Sequence, residues 1–367
     1  MRNSRHGGIT SLANDGATTV SGTAGVSQAS VGVKIHAGVF DISKLAIDAS
    51  KSSRMAVTPA LQFQAESLAS DFARNINRQM YSDGVGVLAE VSAAGTTDIA
   101  VRYPTASIDD GRSIDWYGAV NSDIAATKYI HPGQHLGVGT AAAGVGTVSS
   151  VASGGTVGTV TFTTALVAAA NDSLYVVDGS GNAAGTQEIQ GIRAALSSST
   201  GTSQYAGVAR TTNGWQPQFG SVSEALTLSR MESAYLAARE YGQMGDQFIV
   251  LVNKTLYKKY GDLLQSMRRT VNETDLLGGW TGLEFAAGAG KVGVFLDYDV
   301  PDGEVLILDL DTWTICQVSD LDWMENPNEG AMLRVANSIT YQATMVWFAN
   351  LLCLAPAANA RETQKTA

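Results

Sequence analysis

Charge is scarce in this chain, and so are cysteine and histidine. Only 16% of the 367 residues are Asp, Glu, Lys or Arg, against a usual quarter. The formal balance is −10, so the chain as a whole is not a nucleic-acid binder held by counterion release. The two cysteines, Cys316 and Cys353, sit among apolar residues; they exclude a disulfide framework and point to a reducing compartment. Long hydrophobic runs are missing too. The longest, Met345 to Leu354, is about half of what a bilayer demands, so no membrane partner is expected. No apolar run follows Arg2 and Arg5, and nothing there reads as a signal peptide. The expectation is a soluble protein made in the cytoplasm.

The residues that do chemistry are equally thin. The histidines are His6, His36, His131 and His135. The last two are four apart, but Pro132 and Gly133 between them break the helix that a zinc pair needs. Gly288-Ala-Gly290-Lys291 invites a phosphate loop, yet Phe285 and Val292 stand where the pattern requires Gly and Ser or Thr. Gly84-Val-Gly86-Val-Leu-Ala89 resembles a dinucleotide fingerprint but follows a helix rather than a strand. Asp309 and Asp311 flank one leucine at a strand end; such a pair either holds a divalent ion or, far more often, solvates a turn. No serine sits in a nucleophile elbow. The sequence makes no case for an enzyme, a metal or a cofactor.

What is abundant is glycine, 39 residues, together with Ala, Ser and Thr. Low charge with many small residues favours a β-rich protein, its surfaces largely covered by something else; with the helices predicted along the chain, the class is α+β. The length allows two or three domains. The strongest local signal runs from Thr58 to Asp83. Thr58 is a suitable N-cap and Pro59 a suitable first helical residue. Leu61, Ala65, Leu68, Phe72, Ile76 and Met80 then recur at helical spacing on one face. Gln64, Ser67, Asp71, Arg74 and Arg78 occupy the other, and Asp83-Gly84 supplies the stop. The predicted helix is about 36 Å long, a beam lying across a sheet.

Around it the rest falls into place. Residues 1–30 carry almost no large apolar side chain and cannot offset their own ordering entropy. Val31, Val33, Ile35, Val39, Phe40 and Ile42 predict a half-buried strand leading to a short helix at Ser43 to Ser52. Ile99 to Tyr103 reads as a strand closed by Pro104. Residues 116–192 read as short strands punctuated by Gly, a small antiparallel barrel or sandwich of five or six strands inserted into the chain. Gly154-Gly155 is its hairpin turn. Ser221 with Glu224 forms a capping box that predicts a helix to about Gly242. Phe248 to Val252 predicts a buried central strand, Lys254 to Met267 a helix, and Lys291 to Leu296 a strand. Pro301-Asp302-Gly303 turns into a further strand, Glu304 to Leu308, and Met332 to Leu354 returns as apolar strands beside the long helix.

Two stretches carry a family resemblance. One is Phe40-Asp-Ile-Ser-Lys-Leu-Ala-Ile-Asp-Ala-Ser50 with the helix exit Asn77-Arg-Gln-Met-Tyr-Ser-Asp-Gly84. The other is Val292-Gly-Val-Phe-Leu-Asp-Tyr-Asp-Val-Pro-Asp-Gly-Glu-Val-Leu-Ile-Leu-Asp-Leu-Asp-Thr-Trp313. With this order of parts the chain resembles the major capsid proteins of tailed bacteriophages, the lambdoid-type fold shared with encapsulins. The resemblance implies an arm and extended loop with a short helix at 1–57, and a peripheral domain with its spine helix at 58–115. It also implies an inserted β domain at 116–192, a linker at 193–214 and an axial α/β domain at 215–310. Residues 311–367 would return to the peripheral domain and end in a tail. It implies a shell of hexamers and pentamers that encloses double-stranded DNA bound without sequence preference, in a virion capsid, served by scaffold, portal and decoration proteins. The alternative is an encapsulin-like compartment around an enzyme cargo. An arm and the first strand of the extended loop normally precede this point; trimming, a late start or a missing arm would each account for the difference. Arg74 and Arg78 are the candidates for facing DNA. Arg268 and Arg269 are the candidates for contacts between subunits at the capsomer axis.

Overall fold

The computed structural model describes residues 28–52, 60–104, 127–139, 144–154, 157–177, 188–197, 204–212, 214–241, 247–265, 274–276, 280–287, 290–325 and 330–366. The long helix spans Ala60–Met80, 21 residues and about 32 Å. Thr58 and Pro59 lie outside the described residues. Its predicted stripe is the packing stripe. Leu61, Ala65 and Leu68 pack on Phe40, Ile42 and Ala343. Phe72 is buried, and Ile76 and Met80 pack into a second cluster around Trp215, Leu306 and Leu351. The helix approaches the sheet closely because Gly38 has no side chain: a Cβ there would lie 3.1 Å from Leu68.

The sheet beneath the helix is antiparallel. Lys34–Ser43 and Trp313–Trp323 flank Thr340–Cys353, and Met332–Arg334 pairs with that central strand as well. The short helix expected after the first strand is present at Lys44–Ser52. Trp313–Trp323 was not legible as a strand in the sequence.

A closed six-stranded barrel follows, in the order Val87–Ala93, Asp98–Arg102, Val157–Phe162, Val145–Ala152, His135–Val138, Ser173–Val176. The expected hairpin pairs Val145–Ala152 with Val157–Phe162. The antiparallel pairing matches the sequence reading, but the strand count and boundary do not: among the described residues four of the six staves lie within 116–192, where five or six were expected. Val87–Ala93 and Asp98–Arg102, assigned from sequence to the peripheral unit at 58–115, supply two barrel staves. Their inward residues Val91, Ile99 and Val101 share one core with Leu136, Val160, Phe162 and Leu174. Closure removes every free edge, and residues 116–192 alone could not achieve it.

The third unit is a seven-stranded mixed sheet: Gln218–Gly220, Ala360–Glu362, Val305–Asp309, Phe248–Val252, Gly290–Leu296, Trp280–Ala287, Thr274–Leu276. Phe248–Val252 is its middle strand, as expected. The helices Leu228–Tyr241 and Lys254–Gln265 cover it through Met231, Tyr235, Leu256 and Tyr260. The predicted capping box is a correction. The helix starts at Leu228, with Thr227 Oγ1 accepting from Arg230 N at 3.3 Å. Glu224 instead lies in a short strand parallel to Lys365–Thr366 and takes a charge-assisted bond from Lys365 at 2.9 Å. A second correction concerns the end of the chain. Ala360–Glu362 does not trail from the helix-backed sheet but inserts between Gln218–Gly220 and Val305–Asp309.

Candidate assembly surface

The helix-backed sheet presents an apolar edge that has no strand partner among the described residues. Among the described residues, Trp313–Trp323 pairs on one side only, with Thr340–Cys353, and most residues along it are exposed. Ile315, Val318, Leu321 and Met324 all face solvent, Val318 at 75%. Register breaks at Gln317/Ser319 and Ser319/Asp322 twist the strand and turn side chains outward. Asp320 and Asp322 alternate with the apolar residues and carry negative charge onto the same edge. Soluble proteins usually blunt such an edge, because its unpaired N–H and C=O groups template pairing with another chain. The sheet face away from the long helix is partly exposed as well. Ile35 and Val39 are exposed there, opposite Phe348 and Thr344. At the end of this sheet Lys44 N donates to Ile339 O at 2.9 Å, which sets Leu45 and Ile339, both more than 70% exposed, side by side. A surface of this kind marks an interaction site.

Behind that surface a buried polar junction fixes the three units relative to one another. Arg78, in the last turn of the long helix, donates to both carboxylate oxygens of Glu188 and also to Asn75. Gln79 Oε1 accepts from Ile189 N at 3.1 Å. Asn350 Oδ1 accepts from Gln190 N at 3.0 Å, while its amide donates to Gly32 O at 2.7 Å. Gly191 is required here, since a Cβ would sit 2.3 Å from Met80 O. Deeper in, Glu304 takes Arg193 at 2.8 Å on one side and Arg361 at 2.8 and 3.1 Å on the other. Burial alone would raise the Glu304 carboxyl, but the two guanidiniums outweigh it and hold it below the ordinary range. The barrel is tied on by Asp299, which accepts from Lys128 at 2.5 Å, Tyr129 at 2.8 Å and Asn77 at 2.6 Å. Burial there also works against the charged form, and these donors overcome it, so Asp299 is held low. Buried pairs of this sort set geometry more than they add net stability.

The residues singled out from sequence fare unequally. Arg74 is 80% exposed and pairs loosely with Asp71 at 3.8 Å, as the helix pattern predicts. Arg78 is a correction: it is buried and held by Glu188, 110 residues away, so its guanidinium is not available to a DNA-lined surface. Helix periodicity placed it on the polar face but could not reveal a partner that far along the chain. Arg268 and Arg269 lie outside the described residues. Asp309 caps the turn Leu310–Thr312 by accepting from Asp311 N, but it is buried and does not solvate that turn as the sequence suggested. Among the described residues no cluster of three His, Cys, Asp or Glu is placed to hold a metal, and no helix is long and apolar enough to cross a membrane. Both cysteines are free thiols. Sequence reasoning missed the edge strand and the Glu304 cluster, whose partners lie 57 and 111 residues away.

No family model matches the chain, and no curated protein does so. Among solved structures, the capsid asymmetric unit of cyanophage A-1(L) aligns with 100% of this chain and 86% of its own, at a TM-score of 0.55 and 13% identity. The capsid of a native GTA particle aligns with 100% and 84%, at 0.47 and 10%. The SrpI encapsulin of Synechococcus elongatus PCC 7942 aligns with 41% and 53%, at 0.32 and 11%. The cyanophage likeness spans the helix-backed sheet, the barrel and the mixed sheet in one alignment, and on it this chain has the fold of a phage capsid protein.

Proposed function

We propose that the chain is the major capsid protein of a tailed phage, assembling with copies of itself into an icosahedral head around double-stranded DNA. The observation that carries this reading is the whole-chain agreement with a phage capsid subunit. The exposed apolar edge supports it, since such an edge is a liability in a monomer and a contact in a shell. In this reading the helix-backed sheet is the peripheral domain, the seven-stranded sheet the axial domain, and the barrel the inserted domain. Hexamers and pentamers form the shell, scaffold, portal and decoration proteins join it, and the location is the virion. Of the two arginines proposed for the lumen, Arg74 alone stays a candidate. Its contact with phosphate would be non-specific and salt-sensitive. The test is to purify the protein from infected or expressing cells and to measure particle size and nuclease-protected DNA. Large shells holding double-stranded DNA are expected. Small DNA-free shells around a protein cargo would favour the encapsulin-like reading, and a stable monomer would refute both.

A further inference from the structure

His36 lies on the buried face of Lys34–Ser43, in alternation with Gly38, Phe40 and Ile42. Only 7% of it reaches solvent. Across the sheet it faces Trp347, with ring centroids 6.2 Å apart. Its Nε2 is enclosed and meets no hydrogen-bond partner among the described residues. A neutral ring tolerates that arrangement; an imidazolium, with a second N–H to satisfy, does not. The charged groups around it come from three elements. Lys34 is on its own strand, Glu188 is on the segment below the long helix, and Arg78 of that helix grips Glu188 with two N–H donors. The long strand contributes Trp347 and the backbone of Ala349, neither of which titrates.

We propose that His36 is a proton-operated latch between the peripheral sheet and the junction at the end of the long helix. Neutral, the ring packs as a wedge against Trp347. Protonated, it needs a counter-charge, and the carboxylate within its electrostatic reach is Glu188. Arg78 already occupies both Glu188 oxygens. Two buried cations then compete for one carboxylate, and Lys34–Ser43 or residues 188–197 must give way. Lys34–Ser43 is the one that moves, because among the described residues it is an edge strand paired on one side only, and it can shift without breaking the rest of the sheet. The latch therefore opens by loosening Lys34–Ser43 and whatever contacts it makes outside the subunit.

The sign is fixed by the environment. Burial pushes the His36 pKa below the ordinary 6.5; Glu188 and the Ala349 backbone pull it partway back, and Lys34 adds to the lowering. A group that binds its proton more weakly when folded contributes stability that is complete above pH 6.5 and is lost as pH falls below it. Mild acid is thus the trigger.

Three measurements on the full chain test this, and none requires assembly. Histidine C2–H exchange followed by mass spectrometry should titrate His36 in the unaltered protein below 6.5; a value at or above 6.5 overturns the latch. Thermal melting between pH 7.5 and 5.5 should show a falling Tm in the parent that His36→Phe flattens; an equal slope in the two proteins overturns it. Should His36→Phe fail to fold, amide exchange in the parent decides. Protection lost at 34–43 on acidification supports the latch, and protection kept there overturns it.

Discussion

Glu304→Gln removes the carboxylate held between two guanidiniums that have almost no access to water. The side chains of Arg193 and Arg361 are 3% and 0% exposed, and Glu304 is 2% exposed. The substituted glutamine would keep one acceptor oxygen, and its amide would point two N–H donors toward groups that are themselves donors. Breaking a buried pair by removing one partner costs about 3–5 kcal/mol, chiefly because an uncompensated charge stays inside. At about 2–4 °C per kcal/mol for a large domain, the Tm at pH 7.5 should fall by about 10 °C, read by circular dichroism. The pH dependence adds a sharper check. The Glu304 carboxyl is held below its ordinary 4.5 by Arg193 and Arg361 against the opposing effect of burial. Its contribution is complete above pH 4.5 and is lost as pH falls through the depressed value. The gap between parent and variant should accordingly be constant from pH 8 to 5 and close in stronger acid. A Tm within 1 °C of the parent at pH 7.5 would refute the claim that this cluster fixes the junction.

Arg78→Ala should destabilise by about 3–5 kcal/mol, since it strands Glu188, whereas Arg74→Ala should stay within about 0.5 kcal/mol; urea titration separates them, and equal effects would contradict the burial assignment. Arg74→Glu should leave assembly intact and lower the DNA content of purified particles, read by absorbance ratio, and equal content would remove Arg74 from the lumen. Residues 84–177 expressed alone should give a β-type spectrum and a cooperative melt, while residues 116–192, which lack two staves, should give neither. Val318→Lys with Leu321→Lys should leave the subunit folded and soluble but unable to form shells, as judged by sedimentation; normal particles would show that this edge is not an assembly contact.

The long helix was legible in the sequence because six apolar residues repeat at helical spacing and its contacts with Phe40 and Ile42 need nothing more specific than that stripe. Phe248–Val252 was legible because a continuous apolar run of that length is a buried strand. Trp313–Trp323 was not, because its exposed residues follow neither alternation nor helical period. The barrel was found but cut short: Val87–Ala93 carries a buried Glu90 that Arg102 neutralises, and a carboxylate in mid-strand obscures an inward face. Ser221 and Glu224 satisfied a local capping rule that Lys365, 141 positions away, overrode. The junction was invisible for the same reason. Arg78 with Glu188, and Glu304 with Arg193 and Arg361, pair over separations of 110, 111 and 57 residues, and no local pattern encodes a partner so distant.

Cryo-electron microscopy of the purified particles tests the central claim most directly. A closed icosahedral shell is predicted, with this subunit repeated around its five-fold and six-fold positions and with the Trp313–Trp323 edge covered by a neighbouring copy. A protein that stays monomeric with that edge bare, at concentrations where capsid subunits assemble, would contradict it.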